Sequence, residues 1–447
     1  MKADTMRRDE EPRRAVILSG GGWPGAYDIV RALGLAGVKS IVVSSQPDDI
    51  AFHSRYVEGR INLPEFQPCQ YGRIADALEA IGTSEREKPV LFYVGDAEVA
   101  FVQQFRDRLR EYFRFLLPED RLTTTLLNKS LFYEFARGCD LPVPSAESFS
   151  DVRDLRKRIG AVAFPCIVKP SFNQDWFWKN REERDRLPSY KQALRRFGSK
   201  DDLLEFADAL PERASGFVVQ SYIDGGDDAI TSFHGYFNEQ SECLGYFLGR
   251  EIRTNPPHTG ESAYSRTIYN ESLAKRSIDY LRRIGMRGIV KIDYKLDART
   301  NDFKMMEIEP HFQFWHLLGA YAGVNLPLIA YRHQRDERVA ISGSYADDLR
   351  MLYFLPDIRA FWGGYRKSGE WALVPYLKSF MKKKYYRVFD PLDPLPFVRS
   401  VMGLGGRILK HLPVRLAAKS GAIQVRGIRP QNVIVRELPQ LHRMNEH

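Results

Sequence analysis

The chain has 447 residues, a net charge of +9, and 44% hydrophobic residues, so a folded protein of two or three domains is expected and disorder is not. The positive charge is spread along the chain; it permits an anionic ligand, and with no helix-turn-helix or RNA-binding aromatic motif it gives no case for nucleic acid. Four scattered cysteines, Cys69, Cys139, Cys166 and Cys243, exclude a zinc ribbon or a disulfide scaffold; with no signal-type or membrane-length apolar run, the expectation is a cytoplasmic protein.

In chain order, Ala15–Ser19 reads as a buried strand, and Gly20-Gly-Gly-Trp-Pro-Gly25 is a glycine turn at its carboxyl end. Ala26–Leu35 has helical spacing and Ile41–Ser44 is a second strand. A helix over Ile74–Ile81, a third strand at Val90–Val94 and a helix from about Ala97 to Phe115 complete an open α/β domain of three parallel strands. The glycine turn is not a dinucleotide fingerprint, and no acidic residue ends the second strand.

Asn128–Arg137 reads as a helix stopping at Gly138. Ala163–Val168 is a strand with Lys169 at its end, before Pro170. Phe172 to Arg196 has no clear period and reads as a mobile loop or insertion. A helix follows at Asp201–Ala209, a strand at Gly216–Tyr222, then antiparallel strands at Ile230–Phe237 and Cys243–Phe247. A helix at Glu271–Ile284 leads into Gly288–Leu296 and Phe303–Ile308, two strands separated by the turn sequence Asp297-Ala-Arg-Thr-Asn-Asp302. Helices are expected at Trp315–Ala322 and from near Pro327. From about Gln334 aromatic and basic residues dominate. A packed segment, a partner or membrane-surface helix, and a floppy tail are the three readings of the end of the chain, which includes the amphipathic stretch Gly405–Ala417.

The hairpin near residue 300 carries the chemistry. Residues two apart on a strand share a face, so Glu307 and Glu309 project together, and Asp293 can join them from the neighbouring strand. Three carboxylates on one face repel unless a positive charge sits among them. A hard divalent cation is one answer and a solvated sheet face is the plain alternative. Lys129 at a helix start, Lys169 at a strand end and the extended segment Gln220-Ser-Tyr-Ile-Asp-Gly-Gly-Asp227 supply what a nucleoside triphosphate needs outside a P-loop. Lysines face phosphate oxygens, backbone groups face a base edge, and a carboxylate accepts from ribose hydroxyls.

In this order and spacing the chain resembles the ATP-grasp superfamily of carboxylate–amine ligases. It is most similar to the ATP-dependent carboligase group, to which D-aspartate ligase is related. The resemblance covers about Ala15 to Tyr331 and extends toward Asp357–Pro396. It implies an α/β pre-ATP-grasp domain over 1–125, an α+β ATP-grasp domain over 126–335 and a mainly helical or irregular basic extension over 336–447. It further implies ATP with Mg²⁺ or Mn²⁺, and an amide or peptide bond formed through an acyl phosphate.

Carried across, Lys129 and Lys169 match the two ATP lysines. Gln220, Ser221, Tyr222 and Ile223 match the adenine hinge, with Gln220 where Glu is commoner, and Asp227 matches the ribose acid. Asp293 and Glu307 match the metal ligands, and Glu309 stands where Asn is usual. His311 stands where Arg is usual and lacks arginine's permanent charge, so Arg250 and Arg253 are the expected catalytic cations. The usual glycine-rich flap is replaced by Ser171 and the Trp/Lys/Arg-rich segment after it. The substrates expected are a small carboxylate and an amine, amino acids among them, and the protein is expected to be a homo-oligomer. Two other classes fit the same sequence: a non-catalytic or regulatory ATP-binding protein, and a protein that binds a partner or membrane surface through its basic C-terminal segment.

Overall fold

The computed structural model describes residues 14–20, 25–172, 194–211, 216–339 and 343–402. Residues 1–400 form the first of two units of the chain, and the elements that follow belong to it.

The N-terminal sheet has the order β3-β2-β1-β4, with β1 at Arg14–Ser19, β2 at Lys39–Ser44, β3 at Val57–Asn62 and β4 at Val90–Val94. All its pairings are parallel. Parallel strands are buried on both faces and read as apolar runs. Val16, Ile17, Val42, Val43, Leu91 and Phe92 obey this rule. The fourth strand, β3, went unforeseen because VEGRIN is an edge strand whose exposed positions break the apolar run. The helix expected over 97–115 is two helices, Asp96–Gln104 and Arg106–Arg110, parted at Phe105.

A small antiparallel sheet of order β5-β7-β6 follows, with β5 at Ala146–Phe149, β6 at Cys166–Pro170 and β7 at Phe217–Ser221. The helix Lys129–Gly138 precedes it, begun by Asn128, whose side chain accepts a hydrogen bond from Leu131 N–H at 3.1 Å. Most of the segment read as a mobile loop, 173–193, lies outside the described residues, as does the stretch 405–417.

The large sheet has seven strands in the order β12-β11-β8-β9-β10-β13-β14. They are β8 (Ile230–Phe237), β9 (Cys243–Asn255), β10 (Glu261–Ile268), β11 (Gly288–Asp297), β12 (Asp302–Glu309), β13 (Arg350–Leu352) and β14 (Lys384–Tyr386). The register fixes its two faces, because residues directly opposite on paired strands project to the same side. Asp293 lies opposite Glu307, Ser232 opposite Asp293, and Gly249 opposite Ser232. This is the front row. Tyr294 lies opposite Thr231, Thr231 opposite Arg250, Arg250 opposite Arg266, and Arg266 opposite Arg350. This is the back row. The helix Glu271–Arg283 covers part of the back face, where Ser277 Oγ and Tyr294 Oη are 2.9 Å apart. Glycine is required at 249, since a Cβ there would meet the Trp315 ring at 2.2 Å. Among the described residues no helix is long and apolar enough to cross a membrane.

Candidate active site

A cavity of ≈ 660 Å³ opens over the front face of the large sheet, bounded by the small sheet and by Gly25 and Gly95 of the N-terminal domain. Lys129, Lys169, Gln220, Tyr222, Ile223, Asp293, Glu307 and Glu309 line it, so the structure gathers residues separated by up to 180 positions of sequence.

The hairpin aligns two cross-strand pairs, Asp293 with Glu307 and Lys291 with Glu309. Oxygens of Asp293, Glu307 and Glu309 lie within 4.8 Å of one another, a spacing that suits a hard divalent cation. Lys291 is the residue that sequence reasoning missed. Its Nζ sits 2.7 Å from Asp293 Oδ2 and 3.0 Å from Glu309 Oε2. The signal was present: Lys291 is two residues from Asp293 on the same strand and must share its face.

These charges set each other's ionisation. Burial opposes the charge on Lys291, but Asp293, Glu309 and Glu307 outweigh it and hold the ammonium firmly protonated. Burial pushes the Asp293 carboxyl up to about 6, against the pull of Lys291. Glu307 is also buried, yet Lys129, Lys169 and Lys291 hold it below the ordinary carboxylate range. Burial lowers Lys169 to about 8, with Glu307 working the other way. Its Nζ reaches the Met306 carbonyl at 3.5 Å.

The extra carboxylate at Glu309 is answered locally. Besides Lys291 it accepts from Gln313 Nε2 at 2.8 Å and lies 3.7 Å from His311 Nε2. His311 Nε2 is also 3.4 Å from Asp96 Oδ1. Burial alone would deprotonate His311, but Asp96 and Glu309 raise it to about 9. This histidine lacks arginine's permanent charge, and the two carboxylates beside it favour its protonated form.

The hinge segment places Tyr222 and Ile223 against the cavity, while Ser221 ends β7 with its N–H donating to the Ser145 carbonyl at 2.8 Å. Gln220 is fully buried, and its Oε1 accepts from Tyr133 Oη. Lys295 Nζ lies 5.2 Å from the Tyr222 ring centre. Ser171 O accepts from Lys129 N–H at 2.9 Å, linking the first lysine's helix to the end of β6.

Three expected residues stand elsewhere. Arg250 belongs to the back row, on the face opposite the carboxylates, and lines a second cavity. Arg253 is fully buried and paired to Asp357, with Nε–Oδ1 2.7 Å and Nη2–Oδ2 3.1 Å. Neither arginine lines the front cavity, so neither reaches the carboxylate cluster as a catalytic cation. The irregular β9–β10 register, with shifts between Ser262 and Tyr264 and between Tyr264 and Ser265, is what puts Arg253 on its side of the sheet. Asp227, read as a ribose acid, accepts instead from Thr254 N–H at 3.3 Å and from Tyr365 Oη, and lies 3.3 Å from His258 Nδ1.

No family model matches the chain. It is 25% identical over 234 residues to the D-aspartate ligase of Enterococcus faecium (strain Aus0004), an alignment covering 51% of this chain and 54% of that protein. The chain thus matches about half the length of that relative. Among solved structures, N5-carboxyaminoimidazole synthetase from Staphylococcus aureus complexed with ADP superposes with a TM-score of 0.56 at 15% identity, covering 80% of this chain and 87% of that one. An L-amino acid ligase from Bacillus licheniformis superposes with a TM-score of 0.52 at 14% identity, covering 73% and 74%. These likenesses show a shared fold.

Proposed function

We propose that this chain, an ATP-grasp protein by fold, is an ATP-dependent ligase that joins a small carboxylate to an amine. The observation that carries the reading is the convergence of Lys129, Lys169 and Lys291 with Asp293, Glu307 and Glu309 in one cavity beside the 220–223 hinge. The likeness to enzymes named as D-aspartate ligase and L-amino acid ligase supports amino acids among the substrates. Domain boundaries near residues 125 and 335 belong to the same proposal; the helix Asp120–Leu127 spans the first, and β13 and β14 carry the large sheet past the second.

In this reading the substrate carboxylate oxygen attacks the γ-phosphorus, the bond to the bridging oxygen of ADP breaks, and an acyl phosphate forms. The amine nitrogen then attacks the acyl carbon, the carbon–oxygen bond to phosphate breaks, and the nitrogen loses a proton. Lys129 and Lys169 lie against the phosphate chain and offset its charge. Lys291 and protonated His311 sit beside the acyl centre, where charge develops as the amine attacks. The 221–223 backbone meets the adenine edge. Mg²⁺ or Mn²⁺, held by Asp293, Glu307 and Glu309, would neutralise phosphate charge when bound. The close carboxylate spacing fits such an ion, and the Lys291 ammonium, 2.7 Å from Asp293 and 3.0 Å from Glu309, stands against two of the three ligands.

The test is ADP release from Mg²⁺-ATP with amino acids and small carboxylates supplied singly and in pairs. Release that needs one particular pair is expected. ATP binding with no release by any pair would contradict the ligase reading.

A further inference from the structure

We propose that the cavity on the back face of the large sheet binds an acidic amino acid, with its carboxylates on Arg250, Arg266 and Arg350 and its ammonium toward Asp228. The cavity holds ≈ 550 Å³, within the size range of small-molecule sites, and Tyr365 and Trp371 wall it opposite the strands. It lies across the sheet from the phosphate-binding residues, and the proposal does not depend on the ligase reading.

The three arginines are direct cross-strand neighbours on β9, β10 and β13. Like charges at directly opposed positions repel, so such a row needs counter-charge. One carboxylate, Asp348, answers two of them, at 3.2 Å from Arg266 Nη1 and 3.0 Å from Arg350 Nη2. Arg250 has a long hydrogen bond to Thr231 Oγ1, 3.4 Å. Burial and the neighbouring Arg266 push the Arg250 guanidinium down, with Asp228 opposing them. Lys384, next in the row, is turned to the Phe380 carbonyl.

The remaining acids at the cavity are engaged. Asp227 and Glu370 flank His258, at 3.3 and 3.0 Å, and hold it protonated at about 9. Glu251 alternates with Arg250 along β9 and so turns to the front face, where it accepts from Ser262 Oγ at 2.7 Å. With Asp348 set against one of the three guanidiniums, two positive charges remain on the strand wall; Asp227 and Glu370 against one imidazolium leave one negative charge across from them, and Asp228 adds another at the exposed lip. The two carboxylates of an acidic amino acid match the arginine wall, and its ammonium matches the acidic side. Guanidinium groups also suit carboxylates geometrically, by paired N–H donation.

The experiment is calorimetric titration of the full chain with L-aspartate, L-glutamate and succinate. Variants Arg250→Gln and Asp228→Asn are titrated alongside, each checked for folding by thermal unfolding. One of the two amino acids is expected to bind more tightly than succinate. Arg250→Gln should weaken that binding about tenfold or more, the loss of one charge-assisted contact. Asp228→Asn, at an exposed position, should weaken the amino acid and leave succinate unchanged. Binding equal in wild type and Arg250→Gln would overturn the site. Failure of both amino acids to bind at millimolar concentration would do the same. Succinate binding as tightly as either amino acid would overturn the role given to Asp228.

Discussion

Two buried charge clusters of the large sheet behave in opposite ways. Around Arg253 one guanidinium meets one carboxylate, both fully buried. The rings of Tyr264, Trp371 and Tyr376 stand 5.0, 4.5 and 4.8 Å away, and Ser379 Oγ takes a further hydrogen bond at 3.1 Å. Of that guanidinium only Nη1 has no hydrogen-bond partner among the described residues, and it is buried. At the hairpin, Lys291 is shared by Asp293 and Glu309, and Glu307 feels the charges of three lysines. Charges of both signs face a cavity, and burial shifts their ionisation against the pull of opposite neighbours, as in Asp293 at about 6 and Lys169 at about 8. A closed pair holds the fold together, whereas an open cluster that a ligand can complete marks the site.

The sharpest way to break this contrast is to open the closed pair. Arg253→Ala strands Asp357 in the interior and should cost roughly 3–5 kcal/mol of stability, read from denaturant midpoints. Replacing both residues by apolar ones should cost less than the single change. Similar losses in the two variants would show that the pair is not the unit. Lys291→Met opens the front cluster instead. It should lower ligase turnover about 100-fold, a loss of charge stabilisation at the reacting centre, with a smaller change in stability. Turnover within twofold of wild type would remove Lys291 from the site.

His311 gives a subtler comparison. Its pKa is raised in the folded protein, so its contribution to stability is fully present below about 6.5 and lost as pH rises through about 9. The stability gap between wild type and His311→Gln should therefore be widest near pH 6 and close in alkali. A gap that grows above pH 9 would mean that the imidazole is neutral. The smallest effect is expected at Lys275 and Glu271, an exposed helical pair 2.8 Å apart. Lys275→Ala should leave the unfolding midpoint unchanged within error, since solvent screens such pairs.

Much of the site was legible because it obeys local rules. Alternation along β12 put Glu307 and Glu309 together, the turn residues 297–302 set the hairpin, and Asn128 marked the helix that begins at Lys129. What failed depended on distant pairing. Arg250 and Arg253 read as basic residues of one strand, but their face is fixed by the register with β8 and the irregular pairing with β10. Asp227 read as an available acid, yet Tyr365, 138 positions later, occupies it. The charge of His311 depends on Asp96, from the N-terminal domain. Local spacing gives a side chain's neighbours on its own strand; which partner reaches it across the fold is set by tertiary packing.

The central claim is that the open hairpin cluster holds metal-bound nucleotide. Calorimetric titration of wild type and Glu307→Gln with ADP, with and without Mg²⁺, tests it most directly. The account predicts that Mg²⁺ tightens ADP binding in the wild type and that this Mg²⁺-dependent gain disappears in the variant. An equal gain in both proteins would contradict it.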